Sequence, residues 1–120
     1  MNKESIQRII ETSDKLRTLN SQKLRAKERF QSNSILGYEG GLFKVDTDLL
    51  VYVNYLLQQG KGSDTVIIDS NENPILIKSV KDFNNAIQDK YFTAIDIYYN
   101  DIKELELLKK STARYLDLEI

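Results

Sequence analysis

Two stretches at opposite ends of the chain carry helical periodicity with nothing to break it, and they limit what the middle can become. Over residues 3–31, Ile6, Ile9, Ile10, Leu16, Leu19, Leu24, Ala26 and Phe30 recur at helical spacings, uninterrupted by Gly or Pro. From Ser79, which suits an N-cap with Asp82 three positions on, the pattern runs unbroken to about Ser111. At about 1.5 Å per residue the two helices are roughly 43 Å and 50 Å long. A 120-residue chain that spends half its length this way cannot close one large spherical core. Its stripes must bury against each other, as an antiparallel coiled-coil hairpin, or against other copies.

The first helix is a weak seam. Placing Ile9, Leu16, Lys23 and Phe30 at a puts Thr12, Leu19 and Ala26 at d, so polar residues interrupt both rows. Its polar face holds Lys15, Arg17, Lys23, Arg25, Lys27 and Arg29. Six cations on a helix either stay solvated or track phosphates, and these are the candidate nucleic-acid contacts. Residues 1–30 carry eight Lys/Arg against four Asp/Glu, and the remainder nine against fourteen. The arm is net positive and the body net negative.

The last helix has more apolar surface than one partner can hide. Val80, Phe83, Ile87, Tyr91, Ala94, Tyr98, Leu105 and Leu108 form one stripe, and Phe92, Ile95, Tyr99 and Ile102 an adjoining one. A two-stranded seam covers only an a/d strip. Tyr91, Phe92, Ile95, Tyr98, Tyr99, Ile102 and Leu105 are therefore the candidate oligomer interface. Stacking platforms for bases sit among cations, whereas these aromatics have Asp89, Asp96, Asp101, Glu104 and Glu106 beside them.

Between the helices, Val66–Ile68 and Ile75–Ile77 flank the turn cluster Asp69-Ser70-Asn71-Glu72-Asn73-Pro74, the signature of a β-hairpin. Leu42–Val45 reads as a third strand beside it, after a glycine-rich turn at Gly37, Gly40 and Gly41. Asp46-Thr47-Asp48 starts a short helix with a cap and an acid in its first turn. Leu49, Leu50, Val53, Leu56 and Leu57 give it a buried face with Tyr52 and Tyr55 on the flanks, and Gly60 closes it. Ser32-Asn33-Ser34 is the polar stop of the first helix.

Little here supports chemistry. The chain has no cysteine and no histidine, so thiolate chemistry, disulfides, zinc–thiolate sites and the usual general base are missing. Gly60-Lys61-Gly62-Ser63 resembles the end of a P-loop, but the earlier glycine is absent and a helix precedes a strand instead of following one. Asp69–Asn73 matches the first positions of an EF-hand loop, yet Pro74 stands where Gly is needed and Val80 where the bidentate Glu belongs. Asp46, Asp48, Asp64 and Asp69 gather near strand ends with no second chemical group. The expectation is a non-enzyme with no cofactor, metal or small-molecule substrate. The N-terminus has no continuous apolar h-region and the chain no run of about twenty apolar residues; a cytoplasmic protein is expected.

The expected fold class is α+β: two long helices as an antiparallel coiled-coil hairpin, joined by a small head with a short helix and a β-hairpin or three-stranded antiparallel sheet. One domain spans residues 1–120, with helices over 3–31 and 79–111, the head over 35–78 and an amphipathic, fraying tail over 112–120. In layout this is similar to prefoldin subunits, which clasp a coiled coil with hairpins; the short helix at Asp48–Gln59 departs from that pattern. Leu36-Gly37-Tyr38-Glu39-Gly40-Gly41-Leu42-Phe43-Lys44-Val45, with Ile67–Ile75, resembles small proteins of T4-like tailed phages. That resemblance implies a virion-assembly or replication accessory role, in host cytoplasm or virion. The leading expectation is a structural or assembly protein that forms homo-oligomers or binds a helical partner. A nucleic-acid accessory protein using the basic first helix is the alternative.

Overall fold

A computed structural model describes the backbone of residues 3–117 and the side chains of residues 3–111. The protein is α+β, in the order α1 (Lys3–Asn33), β1 (Ile35–Tyr38), β2 (Gly41–Lys44), α2 (Thr47–Gln58), β3 (Ser63–Ile68), β4 (Pro74–Ser79), α3 (Val80–Asp117). It divides into two units: the head, Phe30–Asp96, and a helical unit made of the residues up to Arg29 and from Ile97 onward.

In the head, local sequence signals set each element. Ser34 ends α1, its Oγ donating to the Phe30 carbonyl at 2.7 Å. Glu39 and Gly40, at φ 51° and 83°, make the two-residue turn between β1 and β2, and positive φ at both positions matches the right-handed strand twist. Asp46 caps α2 by accepting from the Leu49 N–H at 2.9 Å. At the other end Gly60, φ 77°, permits the Schellman closure, with Lys61 N–H on the Leu56 carbonyl and Gly60 N–H on that of Leu57. Ser79 Oγ accepts from the Asp82 N–H at 3.3 Å and opens α3.

The strands form two antiparallel pairs. The expected hairpin is present, with Val66 opposite Leu76 and Ile67 opposite Ile75. The expected third strand is not part of it. β2 pairs with β1 instead, Phe43 opposite Leu36, giving a ladder of its own. β1 was hidden by its length of four residues and by Gly37 at its centre. Both ladders present one face to a shared core of Phe43, Val45, Val53, Leu56, Ile67, Ile77, Val80, Phe83 and Ile87. Phe83 is fully buried, and Phe43 meets its ring edge-on at 4.9 Å, with Tyr38 tilted at 5.0 Å. Gly41 is required by packing: a Cβ there would stand 2.7 Å from Ile75 Cγ1.

In the helical unit α1 and α3 run antiparallel. Arg29 pairs with Asp101 at 3.2 Å, while Leu16, Leu19 and Lys23 lie across from Ile102, Leu105 and Lys109. Only the d row is well covered. Thr12 and Ala26 are buried and Leu19 half-buried, whereas Ile9, Leu16 and Lys23 of the a row are exposed. Lys23 cannot fill an a position as an apolar side chain would, and a cleft of about 140 Å³ opens there. The backbone of α3 stays helical to Asp117, six residues past the expected end, because Ser111-Thr112 lacks a helix breaker. The rest of the expected tail, residues 118–120, lies outside the described residues.

Candidate association surfaces

Of the four carboxylates near the strand ends, Asp69 and Asp46 are engaged in backbone hydrogen bonds. Asp69 Oδ1 accepts from the N–H groups of Asn71 and Asn73, at 3.0 and 2.9 Å, and Oδ2 from that of Leu42 at 3.1 Å. Ser70 completes the junction: its N–H donates to the Leu42 carbonyl and its Oγ accepts from the Lys44 N–H. The turn of one hairpin is thereby laced to the edge of β2 that faces away from β1. The backbone donors of Asn73 and Leu42 hold the Asp69 carboxyl below its ordinary 3.8, and burial opposes them. Asp46 is spent on its cap. Among the described residues no three acidic side chains gather to hold a metal ion. Burial, then the charges of Asp82 and Glu39, push the Tyr38 hydroxyl above its usual 10.0, as befits a ring packed on a core.

The Asp69 junction gives a stability prediction with a definite pH sign. A depressed carboxyl contributes stability that is present above its unfolded value and lost as pH falls through the lower folded one. Asp69→Asn keeps an oxygen for Asn71 and Asn73 but turns an amide N–H toward the Leu42 N–H. The variant should be less stable than wild type at pH 7 in urea denaturation, and the gap should narrow below pH 3.8. A gap unchanged from pH 7 to acid would contradict the assignment.

The six candidate phosphate-binding cations are all exposed, but α1 does not gather them on one face. At about 100° per residue, Lys23 and Lys27 fall on one side of the Thr12–Leu19–Ala26 line, Arg25 and Arg29 on the other, and Arg17 behind. Arg29 is paired with Asp101 and Arg17 with Asp14 at 3.7 Å. Lys15 borders an open groove with Leu19 and Leu108.

The candidate interface on α3 divides by exposure. Tyr91, Tyr98 and Leu105 are half-buried on the first stripe, as are Ile95 and Ile102 on the second. Phe92 and Tyr99, one heptad apart on that second stripe, remain 57 and 65% exposed. In the head the ring of Tyr91 meets Phe92 edge-on at 6.0 Å. In the helical unit Leu107 and Leu108 are exposed further along α3, and Ile6, Ile9, Ile10 and Leu24 lie exposed on α1.

Two further apolar faces lie on the head. Val66, Ile68 and Leu76 are exposed on one side of the β3–β4 hairpin, and Val51 joins Tyr52 and Tyr55 on the outside of α2. The signal for the second was available: from Thr47 to Gln58 the one charged residue is Asp48. No helix among the described residues is long and apolar enough to cross a membrane. No protein-family model, curated protein or solved structure matches the chain.

Proposed function

We propose that this is a non-catalytic structural or assembly protein that works by helix-mediated self-association. The observation that supports it is the second stripe of α3, where Phe92 and Tyr99 stay largely in water although the first stripe is buried or half-buried from Val80 to Leu105. Their spacing with Ile95 and Ile102 is three, four, three, the repeat that seats knobs in a facing helix. A second copy offers the same repeat in return. A phage virion-assembly factor is the setting that the sequence resemblance implies. Native mass spectrometry over a concentration series tests the reading: species at multiples of 13.9 kDa are expected, and a mass that stays at one chain contradicts it.

The second reading is a nucleic-acid accessory protein, for replication or recombination, bound through α1. It is favoured by Lys23, Arg25 and Lys27, which are exposed within five residues of one another. Phosphate contacts release counterions, so such binding falls steeply with salt. If this reading holds, fluorescence anisotropy with single- and double-stranded DNA gives a steep slope that is flattened by Gln at Lys23, Arg25, Lys27 and Arg29. Association being the leading reading, no binding is expected at about 50 mM salt.

A further inference from the structure

The side of α2 turned away from the head core is apolar where a solvated helix is charged. Val51, Tyr52 and Tyr55 are 70, 46 and 53% exposed and share one face of the helix. With Leu49, Leu50, Val53, Leu56 and Leu57 packed on the core side, α2 is apolar around most of its circumference, as buried helices are. Asn54, Gln58 and Gln59 border the patch without adding charge. Uncharged and rich in tyrosine, it has the composition of an interface centre.

We propose that this face binds the same face of a second copy, α2 against α2, antiparallel about a twofold axis at the level of Val53 and Asn54. Charge complementarity selects that occupant. Asp48 is exposed at one end of the face, and Lys61 is exposed at the other, held against the last turn by its N–H bond to the Leu56 carbonyl at 2.8 Å. The antiparallel arrangement lays Tyr52 on Tyr55 of the second copy and brings each Asp48 to the Gln59–Lys61 end of the other chain. A parallel arrangement would set Asp48 on Asp48 and Lys61 on Lys61. Nucleic acid and anionic membranes require a cationic face, and this one has a single lysine at its rim. The contact lies within the head and does not depend on the α3 stripe. Where both form, two different twofold contacts on one chain build assemblies larger than a dimer.

The absence of cysteine allows a direct test in the full chain. Asp48→Cys with Gln59→Cys places two thiols eleven residues apart on one helix, roughly 16 Å at helical rise, which no intrachain disulfide spans. In the antiparallel dimer each thiol faces the other kind on the second copy. Mild oxidation at about 1 mM protein, suited to a contact below standard interface size, should give covalent dimer at least fivefold above either single-cysteine variant. Adding Tyr55→Lys should remove that excess while circular dichroism stays unchanged. Without cysteines, Asp48→Lys should weaken association in sedimentation runs, and Asp48→Lys with Lys61→Asp should restore it. The series is run in the wild-type chain and in the Tyr99→Glu/Ile102→Glu background, so loss of the α3 contact and loss of this one read out separately. Dimer no greater than in the single-cysteine controls, the result if a different partner occupies the face, overturns the proposal. So does an excess that Tyr55→Lys leaves intact, or a charge swap without restoration.

Discussion

Phe83→Ala should destabilise the head by about 3–5 kcal/mol, the range for deleting a fully buried aromatic side chain. Phe83 has no exposed surface and stands in the first turn of α3, where the faces of both ladders converge. Its ring touches Phe43 of β2 and Tyr38 of β1, so one truncation removes contacts to two strands and opens a cavity among them. Small domains have about 5–15 kcal/mol in total, so a loss of this size takes a large part of the head's stability. Urea denaturation followed by tyrosine fluorescence measures it, with Phe83→Leu expected to fall between. Amide hydrogen exchange should show the loss in Val45, Val53 and Ile77, all buried in this core. A change under about 1 kcal/mol would mean that the site collapses around the deletion, contrary to a tightly packed Phe83.

The elements with local signals were legible in the sequence. Asp46, Gly60 and the Ser79–Asp82 pair act within four residues of themselves, and each works as its type and position suggest. The pairing of Val66–Ile68 with Ile75–Ile77 follows from two β-branched runs joined by a short polar turn. What escaped depends on distance or on the third dimension. The bond from the Leu42 N–H to Asp69 spans 27 residues and has no local signature. Leu42–Val45 reads as extended from its own residues, but the sequence points to the later hairpin as its partner because β1 is short and interrupted by Gly37. The cations of α1 look like one basic face in a list and scatter around a helix. Periodicity found both stripes of α3; it could not say that Ile95 and Ile102 would be half-covered by the chain itself while Phe92 and Tyr99 were not.

Under the proposed self-association, Tyr99→Glu with Ile102→Glu should give a smaller species and leave it folded. Burying a side chain such as Phe92 or Tyr99 contributes roughly 1.5–3 kcal/mol when the burial is complete. Both now sit more than half in water, so a facing copy has much of that to recover. Two carboxylates in the same seam reverse the gain, because a charge buried without a partner costs several kcal/mol. A loss of about 3 kcal/mol per dimer already weakens association roughly 150-fold. The fold should survive, since Tyr99 is exposed and Ile102 is half-exposed beside the cleft at Lys23. Circular dichroism should therefore keep nearly the same helical signal.

Sedimentation velocity of the wild-type chain and the Tyr99→Glu/Ile102→Glu variant, side by side at about 100 µM, where an interface of standard strength is saturated, decides whether the chain self-associates through α3. Association through α3 requires a wild type that sediments faster than a 13.9 kDa monomer and a variant that sediments as one. A wild type already monomeric at that concentration, or a variant that sediments with it, would contradict the claim that α3 associates through Phe92, Ile95, Tyr99 and Ile102.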